Sequence, residues 1–123
     1  MKLSGIYGAL VFAALAATAQ IAAAHSFPQQ ESPSAGESLS KPPSQVSIRF
    51  DAPIEKLFSK LEVLDSDGKS VTQGAPEIGP RSITLSVKLG VLKPGDYTVK
   101  WSVVCVDSHR TQGSYVFSVT GGA

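Results

Sequence analysis

Sulfur is almost missing from this chain. One residue of 123 is cysteine, Cys105, and one is methionine, Met1. A lone cysteine excludes any disulfide within the chain, so a small exported domain built from it must hold together by packing. The lack of methionine after position 1 excludes a thioether-rich site for soft metal ions. An excess of one charge is missing too, with 11 Lys and Arg against 10 Asp and Glu. No basic cluster breaks that balance, which argues against nucleic acid as a partner, and no basic amphipathic helix suggests a membrane surface. Histidine is equally scarce. There are two, His25 and His109, and their positions are correspondingly informative.

The first 24 residues read as a secretory signal peptide. Lys2 precedes an apolar run from about Ile6 to Thr18, and Ala22 and Ala24 stand at the −3 and −1 positions of an Ala-x-Ala processing site. That run is shorter than the roughly 20 residues a membrane-spanning helix needs. With no twin arginine and no cysteine after the site, export by the general secretory route is expected. Cleavage would leave residues 25–123 as one domain of balanced charge, with His25 at its amino terminus.

Residues 26–44, rich in Pro, Ser and Gln, should be extended and loop-like. The pattern then changes to period two. Val46, Ile48 and Phe50 alternate with polar residues, as do Leu61 and Val63, and Ile83, Leu85, Val87 and Leu89. Tyr97, Val99, Trp101 and Val103 follow, then Tyr115, Phe117 and Val119. Such alternation marks strands with one buried face. Asp65-Ser66-Asp67-Gly68 and Lys93-Pro94-Gly95-Asp96 supply turns between them, and Pro53–Lys60 leaves room for a helical turn or so. The fold expected is all-β: an immunoglobulin-like Greek-key sandwich or barrel of about seven strands.

Asp107 and His109 lie just past the fourth of these runs. If that strand continues, residues two apart face the same side, which brings a carboxylate and an imidazole together beyond Cys105. An Asp-x-His pair is by itself weak evidence for metal. His25 adds to it, because at a processed terminus its free amine and ring Nδ1 close one chelate ring on a single ion. A second imidazole from His109 completes three nitrogens in a T-shaped histidine brace, with the Asp107 carboxylate as a further ligand. Tetragonal nitrogen and oxygen donors suit Cu(II), one ion per chain. The competing amino-terminal copper motif needs His at the third mature position, where Phe27 stands. Cys105 shares the parity of Tyr97 to Val103 and reads as a small buried hydrophobe. The amine and imidazoles must lose protons to bind metal, so affinity should fall on acidification.

These features together resemble the CopC family of periplasmic copper-resistance and copper-carrier proteins. The matching segments run from His25-Ser26-Phe27-Pro28 through Val46-Ser47-Ile48-Arg49-Phe50 and Leu92-Lys93-Pro94-Gly95-Asp96-Tyr97. They continue along the stretch from Val99 to His109 and close on Gly113-Ser114-Tyr115-Val116-Phe117. The resemblance implies a seven-stranded Greek-key barrel or sandwich, and a Cu(II) site of His25, Asp107 and His109. It also implies an inner-membrane copper importer of the CopD kind as recipient, and a carrier that is monomeric and not an enzyme. Two departures stand out. The methionine-rich Cu(I) segment of some members is absent, which restricts the expectation to Cu(II). Cys105 occupies a position where the family often has serine.

Two rivals belong to other classes. A copper-dependent lytic polysaccharide monooxygenase also places a histidine brace on a β-sandwich, but it needs a broad aromatic surface, and Trp101 is the only tryptophan. A metal-free exported interaction module would leave both histidines incidental.

Overall fold

A computed structural model describes residues 26–121. The expected signal peptide, residues 1–24, and His25 lie outside the described residues.

The alternating runs form strands at the expected places, and two further segments join them. In chain order the strands are β1 (Pro28–Ser32), β2 (Ser38–Leu39), β3 (Gln45–Phe50), β4 (Lys60–Leu64), β5 (Thr72–Ile78), β6 (Thr84–Leu89), β7 (Gly95–Val104) and β8 (Arg110–Val119). They make two four-stranded sheets, in the orders β1-β3-β6-β5 and β2-β8-β7-β4. The architecture is the expected all-β sandwich, with eight strands. Part of the excess lies in the Pro- and Ser-rich stretch, where β1 adds to the edge beside β3 and the two residues of β2 pair in parallel with β8. The sequence pattern also passed over β5, because that strand does not alternate. It is an edge strand paired with β6, irregular between Gln73 and Glu77, with Gly74 at φ 79° and Pro76 inside it. Edges and bulges are where a sheet tolerates proline and glycine. The run expected from Ile83 starts as a strand only at Thr84, after a 3-10 turn over Pro80–Ser82. The helical hint after Pro53 is a single 3-10 turn, Lys56–Phe58.

The inward faces meet as one core. Val46, Ile48, Phe50, Leu85, Val87 and Leu89 from one sheet pack on Leu61, Val63, Tyr97, Val99, Trp101, Val103, Tyr115, Phe117 and Val119 from the other. Each large apolar side chain buried in this way contributes roughly 1.5–3 kcal/mol against chain entropy. Two aromatic contacts cross the interior. Phe50 meets Trp101 edge-on and Tyr97 stacks on Phe117, both with ring centroids 5.5 Å apart. The Trp101 ring lies so close over Gly113, its partner on β8, that a Cβ there would stand 2.8 Å from it. Trp101 is therefore core, as its pattern implied.

β7 and β8 form the longest hairpin, in unbroken register from Gly95↔Val119 to Val104↔Arg110. At its base the Tyr97 hydroxyl donates to the Lys93 carbonyl and ties down the Pro-Gly turn. At its tip the chain reverses over five residues, Cys105 to His109. That tip carries the candidate site.

Candidate metal centre

The tip is closed by two backbone hydrogen bonds. The Cys105 N–H donates to the His109 carbonyl at 2.8 Å, and the Ser108 N–H to the Cys105 carbonyl at 2.9 Å. Ser108 takes φ 76°, a left-handed conformation that costs a non-glycine residue about 1 kcal/mol. The Asp107 carboxylate is turned onto His109. Its Oδ1 accepts the His109 backbone N–H at 3.2 Å, and its Oδ2 lies 3.0 Å from the His109 ring Nδ1.

Asp107 and His109 thus come together as expected, but for a different reason. β7 ends at Val104, so strand parity does not reach them; the turn places them. A carboxylate only accepts, so in the neutral ring the proton belongs on Nδ1 and the lone pair on Nε2. A carboxylate held on one ring nitrogen while the other faces a metal is the usual outer-shell arrangement of a ligating histidine. The imidazole is 63 % exposed and the carboxylate 30 %. Both are within reach of an ion from solvent.

The strand ends beneath this turn hold a second structure, built on Ser26. Among the described residues Ser26 is the one buried polar side chain, with no exposed surface. Every polar group it has is occupied. Its N–H donates to Cys105 Sγ at 2.7 Å, and its carbonyl accepts the Thr111 hydroxyl at 2.7 Å. Its own hydroxyl lies 3.2 Å from both the Ala52 and Pro53 carbonyls. Next to it Phe27 and Asp51 exchange bonds, the Phe27 N–H to Asp51 Oδ1 at 2.8 Å and the Asp51 N–H to the Phe27 carbonyl at 2.9 Å. Ser26 therefore links the loop after β3 to the last turn of the β7–β8 hairpin. Sequence reasoning missed Ser26 and Thr111, since a contact across 85 positions leaves no local signal.

Cys105 is free and buried, as its parity indicated. It joins the two structures, its backbone closing the turn and its sulfur accepting from Ser26. An isolated bridge to Ile54 adds a third tie.

What the turn contains is one imidazole and one carboxylate, with Ser26 held against Cys105 at its opening. No group of three or more His, Cys, Asp or Glu side chains is gathered among the described residues. The chemistry of the pair, nitrogen and oxygen, fits a divalent ion of the Cu(II) or Zn(II) kind. It needs donors from elsewhere to complete a site.

Comparison with known proteins points the same way. A family model described as the CopC domain matches residues 29–120. Protein YobA of Escherichia coli K12 is 34 % identical over 98 residues, which span 78 % of this chain and 79 % of YobA. The copper transport protein CutJ of Bacillus subtilis 168 is 33 % identical over 98 residues, again 78 % of this chain but 18 % of that larger protein. The crystal structure of CopC from Methylosinus trichosporium OB3b has a similar fold. It superimposes with a TM-score of 0.73 at 33 % identity, covering 79 % of this chain and 95 % of the other.

Proposed function

We propose, from the premise that this chain belongs to the CopC domain family, that it is an exported carrier of one Cu(II) ion and not an enzyme. The ion is held by the amine and ring of His25, the ring of His109 and the carboxylate of Asp107. The observation that carries this reading is the position of Ser26. It is pinned to Cys105 and Thr111, on the two strand ends from which the Asp107–His109 turn springs. His25 is bonded to Ser26, and consecutive Cα atoms stand about 3.8 Å apart. A donor on the residue bonded to Ser26 is what this reading requires.

Several further points support copper in the cupric state. CutJ is a copper transport protein by name. Imidazole, amine and carboxylate are the donors that Cu(II) prefers, and copper heads the divalent affinity order. Soft donors for Cu(I) are scarce, since Met1 is the only methionine and the Cys105 thiol is buried in the sandwich. The site of action in this reading is the periplasm, after removal of residues 1–24. The recipient would be a membrane copper importer of the CopD kind.

The test is a Cu(II) titration of the exported chain, its first residue established by intact mass. One ion per chain and nitrogen hyperfine structure in the paramagnetic resonance spectrum are expected. A variant with one extra Ala before His25 loses the chelate of amine and ring. Its affinity should fall by more than the roughly 10–100-fold that removal of an outer-shell partner costs. Equal binding by that variant would refute the brace.

A further inference from the structure

Tyr115 is 9 % exposed, and its hydroxyl is buried with no hydrogen-bond partner among the described residues. A tyrosine taken into a core ordinarily brings an acceptor for its O–H. Tyr115 faces inward from β8, on the side of the sandwich opposite the one where the edge strands β4 and β5 meet. Two acids frame that side. Glu31, half-buried on the edge strand β1, pairs with the buried Ile48 and shares its inward face. Glu37 is drawn onto β8 just past Tyr115, the Gly36 N–H donating to the Val116 carbonyl at 2.7 Å and the Ser118 N–H to the Glu37 carbonyl at 2.8 Å. Ser34 ties the two acids to each other, its hydroxyl donating to the Glu31 carbonyl at 3.2 Å and its N–H to Glu37 Oε1 at 2.8 Å. Among the described residues no lysine or arginine pairs with either carboxylate.

We propose that Glu31, Glu37 and the Tyr115 hydroxyl form a site for one hard divalent cation of the calcium class, which ties the edge of one sheet to the edge of the other. Oxygen donors alone, two of them charged, select hard ions, and water completes the coordination. The Tyr115 oxygen offers the ion a lone pair while its proton turns to a carboxylate the ion has drawn in, which supplies the missing acceptor. Electrostatics agree with this placement. Burial raises the Tyr115 hydroxyl above its ordinary range, and the charges of Glu31 and then Glu37 raise it further, so both carboxylates act on that oxygen. Burial also raises the Glu31 carboxyl. Its ionisation at neutral pH is therefore a cost to the ion-free domain, and a bound cation offsets it. The proposal does not depend on the copper reading, since the Asp107–His109 turn lies at the far end of β8.

Denaturant unfolding of the exported chain, dialysed free of metal, tests this with calcium as the probe. The calcium concentration is about 10 mM, above the roughly 0.1–1 mM dissociation constants of extracellular calcium modules. At ten times its dissociation constant, an ion bound only by the folded state multiplies the folding constant by about eleven. Terbium(III) luminescence, competed by calcium, should count one ion per chain. Glu31→Gln should abolish the gain and, with no metal present, should be more stable than the wild type. Tyr115→Phe and Glu37→Gln should each lose most of the gain, whereas Glu62→Gln, on the opposite edge strand β4, should keep all of it. If Tyr115→Phe does not fold, the two glutamate variants carry the test. No calcium effect on the wild type would mean that water alone meets the hydroxyl, and would overturn the proposal. A full gain in folded Glu31→Gln, or an equal gain from sodium at matched ionic strength, would overturn it as well.

Discussion

Two five-residue turns in this molecule are built on one plan and used differently. In Asp65–Lys69 and in Cys105–His109 the first N–H donates to the fifth carbonyl, at 2.8 Å in each. In both, the fourth N–H donates to the first carbonyl, and the fourth residue has positive φ, 82° at Gly68 and 76° at Ser108. The side chains then diverge. In the first turn the opening residue is an acid, and Asp65 Oδ1 accepts the N–H groups of Asp67 and Lys69, both at 2.9 Å. The turn spends its carboxylate on itself, and glycine sits where the backbone requires it. In the second turn the opening residue is Cys105, whose sulfur reaches down to Ser26, and the carboxylate at the third position is aimed at an imidazole. Serine carries the left-handed position at a cost. The first turn is closed by its own carboxylate; the second turns part of its bonding to the His109 ring and to Ser26. Departures of this kind collect where structure serves function.

Substitutions can separate the two turns. His109→Ala should have the largest effect, abolishing Cu(II) uptake in a titration while leaving the fold intact, because the ring is mostly exposed. Asp107→Asn should reduce affinity by more than the roughly 10–100-fold that loss of an outer-shell partner costs, because the proposed carboxylate ligand is itself removed, again with little change in melting. Asp65→Ala should do the reverse. Copper affinity stays at the wild-type value, while the loss of two backbone acceptors lowers stability by about 1–2 kcal/mol in denaturant unfolding. If Asp65→Ala weakened copper binding as much as Asp107→Asn, the division of labour between the turns would be wrong. The smallest effect belongs to Ser108→Gly, which makes the second turn more like the first. Relief of left-handed strain should stabilise the domain by about 1 kcal/mol and raise the melting temperature by several degrees, with copper binding retained.

Most of the fold could be read along the chain, because a half-buried strand writes its burial as a period of two. Every residue of the alternating runs except Ile83 is buried. Ile83 falls short because the 3-10 turn before it takes the start of its strand. The segments that escaped, β1, β2 and β5, are edge or short pairings whose stability comes from their neighbours. In the candidate site the donor types were legible and their arrangement less so. Asp107 and His109 were expected to share a strand face, but a reversal with Ser108 in the left-handed region brings them together. Cys105 is buried as its parity indicates, because it directly continues the inward face of β7.

The sequence by itself determined the two-layer β architecture, most of its core, and the presence of an imidazole and a carboxylate two positions apart. These are properties of neighbours, and local pattern suffices to specify them. Only the tertiary structure decided that Ser26 would lie against Cys105 and Thr111, 79 and 85 positions away. That contact exists because two sheets close over a shared core and bring the start of one beside the longest hairpin of the other. Its donors and acceptors carry no periodicity, so nothing short of the packed fold could pair them.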